Sequence, residues 1–438
     1  MCSLAYISKL RGHTVSGYDR TPSNATRDLE AKGIAVYYEN DESHVDGIDV
    51  LIYTVAIPGD TPEYKTALER GIPCISRADY LGYLMSGYKN SVGVSGMHGK
   101  STTTSMLEKV FVTAGCDPTV SCGASMKDTG CAHRIGSDDF FIFEACEYMD
   151  SFLDFYPTLA IILNIELDHV DYFHSMEQIE ESYGKFAAKT GEDGIVVANL
   201  CDDNVMRAVK NYKGHLVTFG VQSKEADYSA ENITFKNGCG AFDVFHKGDF
   251  LCNINLNVFG AHSIADALAA AAASFELGLS PEDISRGLGA YEGAARRMEY
   301  SGESAKGAAI YSDYAHHPTE IATTLEAAAA IGDGKLYCIF QPHTYSRTSE
   351  LFDDFVKALS ESGAHEIVLS PIYSARETNT LGVSSEMLAE EIRKSSKKAT
   401  CFEDFTDISS YIAEKAVKGD TVVVMGAGDI PAVIKMMK

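Results

Sequence analysis

Residues 93–103 read Gly-Val-Ser-Gly-Met-His-Gly-Lys-Ser-Thr-Thr, a set able to do phosphate chemistry. Glycines let a backbone turn sharply and approach oxygen atoms closely. A lysine supplies a point charge for β- and γ-phosphates, and a serine hydroxyl can ligate Mg²⁺. The spacing is not that of the common phosphate loop, which has Gly, four residues, then Gly-Lys-Ser/Thr. Counting back from Gly99, that first glycine falls on Val94. The flanking pattern still predicts a strand over "SVGVSG" and a helix over "KSTTTSMLEKVFVTAG". The loop then opens a helix, where free N–H groups and the helix dipole favour anions. Gly96, Gly99, Lys100 and Ser101 are the candidates for phosphate and metal; a ligand-free Gly-rich turn is the alternative.

Carboxylates follow at two strand ends. "DDFFIFEACEYMDSFL" is an apolar strand leading to Glu144 and Glu147. "LAIILNIELDHVDYF" repeats the design with Asn164, Glu166, Asp168, His169 and Asp171. A carboxylate at the C-terminal end of a parallel strand faces the ligand crevice. His169 among carboxylates can ligate a second metal or position a phosphate, or serve the structure alone.

These residues need a scaffold of alternating strands and helices, and the chain is long enough for one. It has 438 residues, enough for about three domains at roughly 150 each. With 45% hydrophobic and 23% charged residues it has the composition of a soluble globular protein. No apolar run approaches the roughly 18 residues of a membrane helix. A net charge of -25 repels nucleic acid and anionic membranes, so neither is expected as a partner. The 11 cysteines are odd in number and contain no C-x-x-C pair, which points to free thiols in a reducing cytoplasm.

The first segment opens with Leu4, Ile7 and Leu10 at helical spacing, followed by "RGHTVSGYD" (turn and strand), "IDVLIYTVAI" (strand), "PEYKTALERG" (helix) and "IPCIS" (strand). Such β-α-β alternation predicts a parallel sheet. Sheets of this kind begin with a strand and a Gly-rich turn before the first helix. Here the chain begins at the helix, and the expectation is that Met1 is internal to a longer natural chain. Three domains are expected, 1–89, 90–302 and 303–438. The last alternates again: "AAIYSDY", a helix from Pro318, "KLYCIFQ", a helix from about Ser349, "EIVLSPI", a further helix and "DTVVVMGAG".

"GMHGKSTT", "EACEYMDSF", "NIELDHVDYF", "RRMEY", "DYAHHPTE" and "FQPHTYSRT" occur in this order along the chain. Together they resemble the Mur ligase family, from the first helix to the last strand, and "HHPTE" followed by "FQPH" and an arginine is similar to its alanine-adding branch. The family's loop is G-x-x-G-K-Ser/Thr, so Val94 is no defect. The resemblance implies an α/β fold of three domains: a Rossmann-like N-terminal UDP-sugar domain lacking its first strand, a central P-loop ATPase-type domain, and a Rossmann-like C-terminal domain. It implies ATP-dependent amide formation between L-alanine and UDP-N-acetylmuramate, with Mg²⁺, in a monomer or weak homodimer. It places ATP on Gly96, Met97, His98, Gly99, Lys100, Ser101, His262, Arg297 and Asp313. It places Mg²⁺ on Ser101 and Glu144, with His169 helping to hold a second ion. Catalysis falls to Lys100, Glu144, His169, Arg297 and Asp313, and the amino-acid site to Tyr314, His316, His343 and Arg347. One of His316 and His317 is free to act only as a cap before Pro318.

Three departures stand out. Ser263 and Asp266 replace asparagines of the family's G-x-H-N-x-x-N-A segment, which help bind adenine. Cys146 and Met149 stand where aspartate is common. The upstream strand and Gly-rich turn that help bind the UDP pyrophosphate are missing, which predicts weak UDP-sugar binding and an unpaired sheet edge. A peptide-adding recycling ligase, a non-catalytic nucleotide-binding protein and a generic P-loop ATPase are the competing readings.

Overall fold

A computed structural model describes residues 1–54, 59, 61–169 and 172–438, the side chain of Asn24 excepted. Asp171, and residues 55–57 of the strand expected over 48–57, lie outside the described residues. The strand Asn90–Ser95 is the axis of the central sheet. It pairs in parallel with Phe140–Glu144 on one side and Leu159–Ile162 on the other. Beyond Leu159–Ile162 the sheet runs in parallel through Ile195–Asn199, His215–Val221 and Tyr228–Lys236. It ends in two antiparallel strands, Cys239–His246 and Asp249–Phe259. On the other flank lie Thr119–Ser121 and the short His133–Arg134. Among the described residues the sheet has ten strands.

Its middle strands are covered on both faces, so their sequences are continuously apolar. Alternate residues point to opposite sides. Val92, Val94, Ile142 and Ile161 meet the helices Lys100–Thr113, His262–Glu276 and Pro281–Gly289. Phe141, Phe143, Ala160 and Ile162 meet Arg77–Met85 and Met176–Ala188. The run Ala269–Ala273 is wholly buried. Its small side chains let His262–Glu276 lie close against Lys100–Thr113, which brings Asp266 up to Gly99.

The C-terminal sheet has the order Glu299–Glu303, Ala309–Asp313, Thr421–Met425, Leu336–Phe340, Glu366–Leu369, Ala399–Cys401. The first strand is antiparallel to its neighbour and the others are parallel. The expected boundary at 302/303 therefore falls inside a strand of this sheet. The helix expected from about Ser349 starts earlier, as Tyr345–Glu350, and continues as Phe352–Ser360. The Thr344 hydroxyl accepts from the Arg347 N–H and caps the first piece.

Among the described residues of the N-terminal unit the strands form two separate parallel pairs, Ser16–Tyr18 with Ala35–Tyr37 and Leu51–Tyr53 with Cys74–Ser76, in place of the one parallel sheet expected. Of the three apolar residues that predicted its first helix, Leu4 and Ile7 are buried, but Leu10 is 56% exposed. Leu10 ends the helix Cys2–Leu10 and overhangs the core.

Candidate active site

Three parallel strands deliver their C-terminal ends to one crevice. Asn90–Ser95 leads into the loop 96–99, Phe140–Glu144 ends on a carboxylate, and Leu159–Ile162 runs on to Asn164. Gly96 and Gly99 have φ of +142° and +82°, which disfavours any side chain. A Cβ on Gly99 would collide with the Asp266 carboxylate. Gly99 caps the helix Lys100–Thr113 without a side-chain bond, so the first N–H groups stay available to an anion. Asn164 fixes the loop from behind. Its Oδ1 accepts from the His98 N–H at 2.8 Å and its Nδ2 donates to the His98 carbonyl at 3.1 Å.

The Lys100 ammonium folds back onto the loop, donating to the carbonyls of Gly96 and Met97, and reaches Glu147 Oε2 at 3.1 Å. Glu147 is 1% exposed and also meets His169 Nε2 at 3.3 Å. Burial opposes ionisation of both partners. Their mutual attraction overrides it, holding the Lys100 pKa up and the Glu147 pKa down. Ser101 Oγ donates to Glu144 Oε2 at 2.8 Å, and the Gly123 N–H donates to the same oxygen at 2.7 Å. Ser101 and Glu144 thus stand together, whereas His169 is engaged by Glu147.

The two arginines of "RRMEY" diverge. Arg296 turns to the backbone of Gly426 and Gly428. Arg297 is buried toward Glu320, Asp313 and Glu144, which raise its pKa against desolvation. Asp313 accepts from the Met298 N–H at 2.7 Å and the Ala315 N–H at 2.8 Å. Its carboxylate therefore fixes the turn that aims Arg297. The Tyr314 ring lies beneath both guanidinium groups, 4.8 and 5.3 Å from centroid to carbon. His262 opens its helix beside Gly260, where a Cβ would strike its ring.

The C-terminal sheet contributes the opposite wall. Arg347 makes three bonds of 2.9–3.2 Å to the Asp168 carboxylate, joining the two domains. Burial works against that charge, but Arg347 and His169 hold the Asp168 carboxyl well below the usual range. His343 Nδ1 is 3.4 Å from Arg347, and its pKa falls to about 4 through burial and the nearby cations. His316 is 5.8 Å from His343, ring to ring, and its Nδ1 pairs with Glu320 at 3.1 Å.

Glu320 also meets His98 Nδ1 at 3.1 Å, across the domain boundary. His317 caps the helix Pro318–Ala329 in a reciprocal box with Glu320, so this histidine is the cap that Pro318 required. Pattern reading did not single out the pairing of Glu320 with His98 or of Asp168 with Arg347, because these partners lie far apart along the chain. Arg297 and Glu320 border a cavity of about 310 Å³ that His98, Asp266 and Asp313 also line.

Residues 1–89 match the Mur ligase family catalytic domain, residues 94–274 the Mur ligase middle domain, and residues 296–428 the Mur ligase glutamate ligase domain. The chain is 43% identical over 439 residues to the UDP-N-acetylmuramate–L-alanine ligase of Caldicellulosiruptor saccharolyticus, covering 100% of this chain and 95% of that one. It is 43% identical over 437 residues to the ligase of the same name from Acetivibrio thermocellus, covering 100% and 92%. The crystal structure of the UDP-N-acetylmuramate–alanine ligase of Thermotoga maritima superimposes with a TM-score of 0.83 at 25% identity, over 100% of this chain and 95% of that one. A murein peptide ligase from Psychrobacter arcticus shares the fold, with a TM-score of 0.72 at 22% identity over 99% and 95%. With its phosphate loop, its three matched domains and relatives that align along its whole length, the chain belongs to the Mur ligase family.

Proposed function

We propose that this chain is an ATP-dependent ligase joining L-alanine to the lactyl carboxylate of UDP-N-acetylmuramate, in cytoplasmic peptidoglycan precursor synthesis. The observation that carries the reading is an apposition. Lys100, Ser101 and Glu144 form a phosphate cradle, and Arg347, flanked by His343 and His316, forms a pocket across the crevice. Similarity over the whole chain to ligases named for this reaction supports it.

A carboxylate is a poor electrophile because its charge repels an amine. Phosphoryl transfer from ATP makes an acyl phosphate and ADP; the alanine amine then displaces phosphate and leaves an amide. The first step brings two anions together, and Lys100 and Arg297 offset that charge. Mg²⁺ fits the Ser101 hydroxyl and Glu144 carboxylate, hard oxygen donors already 2.8 Å apart, and bound there it would neutralise phosphate charge. His169 acts through Glu147, which it shares with Lys100. Gly96, Met97, His98, Gly99 and His262 border the nucleotide, and Asp313 holds Arg297 toward it. Arg347 takes the amino-acid carboxylate as a bidentate fork, the same chemistry it now makes with Asp168. Tyr314, His316 and His343 line that pocket. Residues 1–89 carry the UDP-sugar surface, the central domain from residue 90 the ATP site, and the C-terminal domain from the strand Glu299–Glu303 onward the amino-acid site, in a monomer or weak homodimer.

Phosphate release from Mg·ATP, measured with UDP-N-acetylmuramate and with or without L-alanine, tests the reading. Release that requires both co-substrates supports it. Release that ignores L-alanine but responds to a preformed peptide would assign the chain to the recycling branch instead.

A further inference from the structure

His98, Glu166 and His317 come from three separate stretches and two domains, yet one ligand atom from each lies within 4.8 Å of the others. His98 Nε2 faces Glu166 Oε2 at 3.5 Å without a hydrogen bond. His317 is 6% exposed, its Nδ1 is 3.9 Å from the same oxygen, and among the described residues its Nε2 has no partner. Buried imidazole nitrogens without partners are costly unless something occupies them. The surroundings resemble the outer shell of a metal site. His98 gives its other nitrogen to Glu320 at 3.1 Å, and Glu166 accepts from Thr319 Oγ1 at 2.8 Å. A carboxylate behind a histidine fixes its tautomer and raises its basicity as a ligand.

We propose that His98, Glu166 and His317 form an interdomain site for a borderline divalent ion of the Zn²⁺ class, distinct from the oxygen-donor site at Ser101 and Glu144. Two imidazoles and one carboxylate suit Zn²⁺ or Co²⁺, whereas Mg²⁺ prefers oxygen ligands throughout. The ion would tie the phosphate loop to the C-terminal domain and lock the crevice shut.

The test is a Co²⁺ titration of the metal-stripped full chain at pH 8, read by visible absorption and equilibrium dialysis. One ion per chain is expected, with the spectrum of nitrogen and oxygen ligands. Binding should weaken at least about tenfold in both Glu166→Gln and His317→Ala. His317→Ala removes a helix cap and can unfold the chain, but Glu166 is partly exposed and caps nothing. Glu166→Gln alone therefore decides if the other variant fails. Absence of stoichiometric binding would overturn the proposal. So would binding untouched by Glu166→Gln, binding lost only in Glu144→Gln, or intense thiolate charge-transfer bands from a cysteine site.

Discussion

The Arg347 guanidinium and the Asp168 carboxylate close on each other across the domain boundary, each side chain 11% exposed and the shortest contact 2.9 Å. A carboxylate thus already occupies the fork assigned to the amino acid. Arg347→Lys keeps the charge but loses the planar pair of donors. We expect at least a tenfold rise in KM for L-alanine and less than a twofold change in KM for ATP, both from initial rates. An equal rise in both would refute a role confined to the amino acid.

The same pair makes a stability prediction. The Asp168 pKa is lower folded than unfolded, so its contribution is present above the unfolded value of about 4 and is lost as pH falls through the folded one. Asp168→Asn should unfold at a lower temperature than the parent at pH 7. The gap should narrow below about pH 4; a gap constant from pH 7 to pH 3 would contradict the assignment.

Lys100 and Glu147 answer to a double substitution. Lys100→Met leaves Glu147 buried without its ammonium, which costs roughly 3–5 kcal/mol. Adding Glu147→Gln removes the stranded charge and should recover much of the lost thermal stability. Both variants should lose phosphate release. A double variant less stable than Lys100→Met alone would mean that the two residues are not coupled in this way.

Asp266 is buried against Gly99 with Oδ2 unpartnered among the described residues, and desolvation raises its pKa to about 7 despite Arg297. Its folded form binds protons more tightly than its unfolded form, so stability falls as pH rises from about 4 to about 7. Asp266→Asn should stabilise the chain at pH 8 by on the order of 2–4 kcal/mol, read as a higher unfolding temperature. The advantage should shrink toward pH 4. An Asn variant less stable than the parent at pH 8 would contradict the assignment.

Asn164 holds the His98 backbone by donor and acceptor at once. Asn164→Ala removes both bonds, at about 1–3 kcal/mol of loop order. We expect nucleotide affinity to drop about tenfold, with the far-UV circular dichroism spectrum unchanged. Unaltered affinity in calorimetric titration would show that the loop needs no such support.

Most of the fold and part of this site were legible in the sequence. The strand-loop-helix at 90–113 and the carboxylate Glu144 are local signals: an apolar run, turn glycines, then a helical period. The partner of Arg347 was not legible, since Asp168 lies 179 residues away and only the packing of two domains joins them. The same holds for His98 and Glu320, 222 residues apart. Asp313 was recognisable as a strand-end carboxylate. Its use, accepting two backbone N–H groups, depends on the turn at Met298, which no periodicity announces. Leu10 fitted the helical stripe but fell beyond the last turn that the core covers.

The strand Asn90–Ser95 pairs with Phe140–Glu144 and Leu159–Ile162, both drawn from well downstream. Neither contact rewards the chain until long loops have closed, and such parallel pairings form slowly. A ribosome that has released only the first hundred residues has therefore made the glycines and Lys100 but no cradle. During synthesis the loop stays a bare segment until Leu159–Ile162 has emerged and docked. Nucleotide then binds the finished arrangement alone and draws the folding equilibrium toward it.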